Sequence, residues 1–121
     1  NEMDDKLLEL KKEDLLVRDA EYNTWPLNYN NPVNTVYLEP NASVEKAFSE
    51  VEQGRVYGYE LTWNSVYYIR PKYQGERWFS AGDGSIYFFT EKDYPEYPLL
   101  MKESRHVIHE GLKWMRLYQL K

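Results

Sequence analysis

The sequence predicts a single α+β domain in which a short, antiparallel, aromatic-rich sheet packs against an N-terminal helix, a short central helix and a C-terminal helix. Three observations predict it. Apolar residues recur at helical spacing near the middle of the chain, alternating segments separated by turn residues follow, and the last segment gathers its apolar residues on one arc of a helical plot. A chain of 121 residues can bury one hydrophobic core but not two. We therefore expect one domain over residues 1–121.

The first twenty residues have the composition of a helix, although their apolar side chains do not form a single stripe. Either this helix is buried on two sides, or it breaks near residues 11–14, where Asp14 is placed to cap a second short turn. The sequence favours a helix and leaves the break open. Two apolar rows lie apart around its axis: Met3, Leu10 and Val17 in one, and Leu8, Leu15 and Tyr22 in the other.

An irregular loop and a short strand are predicted next. Residues 23–34 contain two prolines and five asparagines, which is the composition of a loop, and Trp25 and Tyr29 are expected to anchor it. Residues 35–39 have the composition of a strand, which Pro40 ends.

The clearest helix in the sequence follows this strand. Asn41 and Ser43 precede it as candidate N-caps, and Gly54 stands where a helix C-terminus favours glycine. Its apolar positions are spaced i, i+3, i+4 and i+7, so one stripe is expected to dock on the sheet. These positions are Val44, Ala47, Phe48 and Val51.

The middle of the chain reads as an antiparallel meander of about four to five strands. Residues 55–63 alternate with a period of two, and the face carrying Tyr57, Tyr59, Leu61 and Trp63 is expected to be the buried one. Turn residues then separate the remaining segments. Those segments are 66–70, 77–80 and 86–89, with turns at 64–65, 71–75 and 81–85.

A final helix is predicted from about Leu99 to Tyr118, after the proline-containing break at 93–98. Its apolar arc would hold Leu100, Met101, Val107, Ile108, Leu112, Trp114, Met115 and Tyr118. The opposite arc would be basic, with Lys102, Arg105, His106, His109, Lys113 and Arg116.

Composition limits the chemistry that the chain can perform. Cysteine is absent, which excludes disulfides, thiolate metal sites and thiol nucleophiles, and favours a cytoplasmic protein. No apolar run approaches the roughly 20 residues of a membrane span. The net charge of −5 opposes binding to a polyanion, and it is unevenly placed, since the first 22 residues are acidic and the last 23 are basic.

No catalytic or metal-binding motif is recognisable. His106 and His109 are spaced as on one helical turn, with Glu103 and Glu110 nearby, but the zinc-protease arrangement H-E-x-x-H is absent. No serine lies in a G-x-S-x-G turn, and the glycines around Asp83 are explained by turn chemistry. We therefore predict no catalytic residue, no metal and no cofactor, and we favour a protein that is not an enzyme while leaving the enzyme alternative open.

The unusual feature is an aromatic content of 17%, including twelve tyrosines, several of them in irregular segments. Tyrosine, tryptophan and arginine are the residues that anchor protein interfaces. We therefore predict a protein-binding module of the inhibitor, immunity or adaptor kind, acting by surface occlusion, for which a phage or other mobile-element origin would be suitable. Its predicted partner-binding residues are Trp25, Tyr29, Tyr73, Tyr94, Tyr97, Lys102, Arg105, Lys113 and Arg116.

Three alternatives stay open at this point. A small enzyme using carboxylate or histidine chemistry would need a pocket that the sequence does not reveal. A nucleic-acid-binding module would use the basic face of the last helix, against the net charge. A homodimer would form if the sheet left an edge strand unpaired.

Overall fold

A computed structural model describes residues 2–19, 34–39, 41–63, 71–73, 75–107 and 110–121, and within them strands dominate. The helices are α1 (Glu2–Glu9) and α2 (Val44–Ala47), and a 3₁₀ turn covers Val51–Gln53. The strands are β1 (Leu15–Asp19), β2 (Asn34–Leu38), β3 (Arg55–Gly58), β4 (Leu61–Trp63), β5 (Pro71–Tyr73), β6 (Arg77–Ser80), β7 (Ile86–Thr90), β8 (Leu99–Val107) and β9 (Gly111–Gln119). No helix in these ranges is long and apolar enough to cross a membrane.

The largest sheet in the described ranges has five strands in the order β2, β1, β7, β9, β8. β1 is parallel to both β2 and β7, whereas β9 is antiparallel to both β7 and β8. Two smaller antiparallel pairs join β3 to β6 and β4 to β5. The predicted antiparallel meander is therefore wrong. The central sheet is mixed, and it combines strands from both ends of the chain.

Each face of this sheet covers its own core. On one face, α1 packs on a cluster containing Leu16, Phe89, Met115 and Leu117, and we call this the α1 side. On the other face, α2 and the β3/β6 pair pack on a second cluster, and we call this the α2 side. Its buried members are Leu15, Val17, Val36, Leu38, Ala47, Phe48, Val56, Phe79, Ala81, Ile86, Phe88 and Tyr118.

The N-terminal helix ends much earlier than predicted. α1 ends at Glu9, and β1 begins at Leu15. The predicted helix therefore does break near residues 11–14, and a strand follows instead of a second helical turn. Consecutive residues of β1 are buried because a parallel strand in the middle of the sheet is covered on both faces. That burial explains why the apolar rows of this segment did not form one helical stripe.

The central helix is confirmed in position but is shorter than predicted. The Ser43 hydroxyl accepts a hydrogen bond from the Lys46 N–H at 3.3 Å, as an N-cap does. The α-helical part covers one turn only, and a 3₁₀ turn continues it to Gly54, whose φ of 82° is a left-handed conformation that suits glycine.

The strands predicted at 35–39, 77–80 and 86–89 form close to the predicted bounds, and the segment 66–70 lies outside the described residues. The segment 55–63 divides into β3 and β4, and in β3 the expected buried face is reversed. Val56 and Gly58 are buried, whereas Tyr57 is half-buried. Gly58 packs so closely on β2 that an added Cβ would lie 2.7 Å from the Tyr37 carbonyl oxygen, so a small residue must face the core there.

The predicted C-terminal helix does not form. Residues 99–107 and 111–119 are two nine-residue strands, β8 and β9, which pair antiparallel as the arms of a hairpin. Gly111 has a φ of 80° where the second strand begins. The broad apolar arc of the helical plot combined residues from both faces of β9: Met115 is buried on the α1 side, whereas Leu112 and Trp114 are exposed on the other side. Pairing with β7 buries this strand, which overrides its helical propensity.

Candidate functional site: the exposed face of the terminal hairpin

The β8/β9 hairpin extends beyond the sheet to which it belongs. β7 pairs only with Arg116 to Gln119, so the part of β9 from Gly111 to Met115 is paired with β8 alone. The two faces of this extension have different surroundings because α1 covers only one of them.

On the α1 side the extension is closed by apolar packing and by polar contacts. Met115 is fully buried in the cluster that includes Met3 of α1. The Glu103 carboxylate accepts a hydrogen bond from the Met3 N–H at 2.9 Å, and Arg105 forms an ion pair with Asp4. Arg105 is only 5% exposed, so this arginine fixes α1 against β8 and does not face solvent.

On the α2 side the same extension is open, and we call this surface the hairpin face. It consists of three opposed pairs in the strand register: Lys102 with Arg116, Ser104 with Trp114, and His106 with Leu112. Leu112 is 76% exposed and Trp114 is 58% exposed. The Lys102 Nζ lies 5.2 Å from the Trp114 ring centroid, in cation–π geometry. None of the six side chains is acidic.

An aromatic cluster forms the inner border of the hairpin face. The segment 91–98 connects β7 to β8 and packs Tyr94 and Tyr97 onto Tyr118 and Phe88. The Tyr118 hydroxyl accepts a hydrogen bond from the Tyr94 N–H at 2.7 Å. Arg116, with 16% of its side chain exposed, donates to the Glu91 carbonyl oxygen. The cover over the α2 side therefore ends at Arg116, and the hairpin face begins there.

Within this border, burial raises the pKa of Tyr94 to about 12, with smaller contributions from Asp19 and Glu96, and burial also raises the pKa of Tyr97. Because the folded state favours the protonated phenol, the resulting stabilisation is complete below the unfolded-state pKa of about 10 and is lost as the pH rises from about 10 to 12. We expect the free energy of unfolding to fall over this interval.

In a Tyr94→Phe variant the free energy of unfolding should fall less over this pH interval, since the variant lacks the Tyr94 phenol and retains only that of Tyr97 with its raised pKa. Denaturant unfolding at about pH 9 and about pH 11.5 measures the difference. An identical fall in the variant and the wild-type protein would show that Tyr94 does not contribute.

The predicted partner-binding residues do not form one surface. Lys102 and Arg116 lie on the hairpin face, and the half-buried Tyr94 and Tyr97 lie at its border. Arg105 and Lys113 oppose each other on the α1 side, where Lys113 lies 3.8 Å from Glu91. Trp25, Tyr29 and the side chain of Tyr73 lie outside the described residues. The predicted basic helix face is therefore wrong, because strand alternation divides its described members between two faces, and His109 lies outside the described residues.

Sequence reasoning missed the two most exposed residues of the hairpin face. Leu112 and Trp114 were placed on the buried arc of a helix, yet they alternate with Lys113 and Met115. A period of two is the signal that could have separated them from the buried Met115 and Leu117.

Two other polar sites are less suited to recognition. At the ends of β1 and β7, Arg18 is 2% exposed and burial lowers its pKa, while the Thr90 hydroxyl donates to the Asp19 carboxylate at 2.5 Å. These contacts are internal to the fold. Within the described ranges no group of three or more His, Asp or Glu side chains could hold a metal ion, and Glu103 and His106 point to opposite faces of β8.

A shallow cleft of about 220 Å³ lies beside α2. Its charged groups are Lys46, Glu39 and Glu76, and the Lys46 ammonium lies 4.4 Å from the Tyr57 ring centroid. The remaining lining residues are Leu38, Ala42, Ser43, Ala47, Tyr57 and Gly58. The cleft is smaller than the roughly 300 Å³ at which small-molecule sites begin.

The chain matches no protein-family model, no curated protein and no solved structure.

Proposed function

We propose that this chain is a non-enzymatic binding protein of the inhibitor, immunity or adaptor kind, which docks onto a protein partner through the hairpin face and acts by covering the partner's surface. One observation carries the proposal. Of the five large apolar side chains that are exposed in the described ranges, four lie on the β8/β9 hairpin. Leu112 and Trp114 belong to the hairpin face, Leu99 and Leu100 lie at the start of β8 beyond the Lys102–Arg116 pair, and the fifth is Leu8 on α1.

The hairpin face has the properties of an interface anchor. Exposed apolar side chains that stand singly are ordinary, but neighbouring ones bordered by polar residues are typical of a docking surface, and Leu112 and Trp114 are successive residues on this face with Ser104 and His106 opposite them. Trp114 is the residue type most often found at binding hot spots. The backbone beneath it is held by β8 and by α1 on the opposite side, so little conformational entropy is lost when a partner binds.

The charge of the hairpin face defines the partner's chemistry. Lys102 lies over the Trp114 ring, and the Lys102–Arg116 pair borders Trp114 on one side. The exposed Asp93 carboxylate lies 3.9 Å from the Arg116 Nε at the inner border, but none of the six side chains of the hairpin face is acidic. An apolar groove with carboxylates at its rim complements this arrangement, because charge complementarity favours encounter and fixes register. A nucleic acid would meet the repulsion of the whole protein. The proposed partner is therefore an acidic protein surface with an apolar pocket for the indole.

Affinity capture from a nuclease-treated lysate of the source cells, followed by titration of the captured partner, tests the proposal. We expect Trp114→Ala and Leu112→Ser to weaken the affinity by about 30-fold or more, the effect of removing a hot-spot anchor. Leu8→Ser is the matched control, since Leu8 is 58% exposed on α1, away from the hairpin face. The affinity of this variant for the partner should equal that of the wild-type protein.

Equal affinities for Trp114→Ala, Leu112→Ser and Leu8→Ser would show that the hairpin face does not bind the partner. Capture that disappears after nuclease treatment would show that the partner is a nucleic acid, contrary to the proposal.

A further inference from the structure

The two edges of the five-stranded sheet differ in how they are covered. Beyond β2, Tyr37 forms an isolated bridge with Tyr59, with backbone hydrogen bonds of 2.8 and 2.9 Å in the two directions. Beyond β8, no strand in the described ranges continues the sheet. β8 is nine residues long, which is unusually long for an exposed edge strand. An edge of this kind can accept another strand.

The sequence of β8 is complementary to itself when two copies run antiparallel around Ser104. In that register Ser104 faces Ser104 of the second copy, and the positions of Glu103 and Arg105 oppose each other twice on the α1 side, where both side chains already bind α1 through Met3 and Asp4. Like charges at directly opposed positions destabilise an antiparallel pair, and this register opposes none. Lys102 faces His106, so the pairing opposes no two lysines or arginines. The small serine at the centre allows the two strands to approach without a clash.

The strand geometry also permits this pairing. The irregularity in β8 lies between Leu99 and Met101, and from Met101 to Val107 the register with β9 is unbroken. A β-bulge and charged side chains commonly protect edge strands from indiscriminate pairing. Here the bulge lies outside the complementary stretch, and of the two-fold registers centred on residues 102 to 105, only the one around Ser104 opposes no like charges. The edge is thus selective, and the occupant that it fits is its own sequence.

We propose that the chain forms a two-fold symmetric homodimer in which the β8 strands of two copies pair antiparallel around Ser104, joining two five-stranded sheets into one. Because Ser104 opposes Trp114 within each copy, the row across the dimer is Trp114, Ser104, Ser104 and Trp114. Neighbouring strands are about 4.8 Å apart, so the two tryptophans begin roughly 14 Å apart with only serines between them. The dimer therefore joins both hairpin faces into one continuous surface.

The dimer should be weak. A pair of edge strands buries less than the roughly 1,600 Å² of a standard interface, and we expect a dissociation constant in the range of about 1 to 100 μM. The inference does not depend on the proposed partner, because self-association is measured on the purified protein alone.

Sedimentation velocity from about 1 to 300 μM provides the first test. The expected result is a concentration-dependent doubling of mass in the wild-type protein. Ser104→Lys places like charges at the two-fold axis and should raise the dissociation constant at least about tenfold. Ser80→Lys is the matched control, because Ser80 is also exposed on a strand but lies on β6, away from the β8 edge.

Single-cysteine variants test the register, and the chain is suited to this because it contains no cysteine. With oxidised glutathione as oxidant, Ser104→Cys should form a disulfide-linked dimer, since its two copies face each other across the axis. Lys102→Cys should not, because its two copies lie four residues apart along the strands, about 13 Å, beyond the roughly 7 Å limit for a disulfide.

Three results would overturn the proposal. They are a monomer at every concentration, equal dimerisation of the wild-type protein and Ser104→Lys, and equal cross-linking of Ser104→Cys and Lys102→Cys.

Discussion

Phe88→Ala should lower the free energy of unfolding by about 3 to 5 kcal/mol. Phe88 lies in β7 and is fully buried between Val17 and Tyr118 of the neighbouring strands. Its ring is 5.0 Å from that of Phe48 and 5.4 Å from that of Tyr94, between centroids. Truncation removes one large side chain from the sheet and leaves a cavity under α2 and the 91–98 segment.

The loss is large compared with the total stability of about 5 to 15 kcal/mol of a typical domain, so the variant should be partly unfolded under mild denaturant. Denaturant unfolding followed by far-UV circular dichroism measures it. Trp114→Ala is the matched control, because it truncates an aromatic residue that is 58% exposed, and we expect a change within about 0.5 kcal/mol. A loss below about 1 kcal/mol for Phe88→Ala would contradict this packing of the core.

Asp14→Ala should destabilise the fold by about 2 to 3 kcal/mol, since it removes the acceptor for two backbone donors. The Asp14 carboxylate accepts hydrogen bonds from the Lys11 N–H and the Ser85 N–H, both at 2.9 Å. The two turns that it connects are in close contact, because a Cβ added at Gly84 would lie 1.9 Å from the Glu13 carbonyl oxygen. Asp14 therefore fixes the turn at which α1 gives way to β1.

Asp83→Ala is the control for this variant, because Asp83 is exposed in the same pair of turns, and its effect should stay within about 0.5 kcal/mol. If Asp14→Ala and Asp83→Ala lost comparable free energy of unfolding, the carboxylate of Asp14 would not hold the two turns together. Asp14→Asn should fall between Asp14→Ala and the wild-type protein, because its amide retains one acceptor oxygen.

Local signals in the sequence were sufficient where structure is fixed by nearby residues. Ser43 caps α2 as predicted, and Gly54 ends the following 3₁₀ turn as predicted. The short strand ending before Pro40 also forms, although β2 starts one residue earlier than predicted. In each case a cap, a glycine or a proline decides the conformation through its own backbone requirements.

The sequence was misleading where partners distant along the chain decide the structure. β1 and β2 are parallel neighbours, and β1 also pairs with β7, which follows it by about seventy residues. No local pattern specifies such a pairing. The C-terminal segment has helical composition, but β7 offers a strand to pair with and α1 covers one of its faces. Tertiary packing thus outweighs propensity over Leu99–Gln119.

The candidate site was only partly accessible to sequence reasoning for the same reason. Lys102 and Arg116 were selected as basic partner-binding residues, and they do oppose each other on the hairpin face. Arg105 was selected with them, yet strand alternation places it under α1 beside Asp4. Trp114 was assigned to the core because a helix, unlike a strand, would have placed it with Met115.

Hydroxyl-radical footprinting of the chain with and without its captured partner measures docking through the hairpin face directly, because it reports the solvent exposure of individual side chains. We expect oxidation of Trp114 and Leu112 to fall several-fold on binding, while that of Leu8 on α1 is unchanged. Unchanged oxidation of Trp114 and Leu112 in the complex, with protection appearing at Leu8, would contradict docking through the hairpin face.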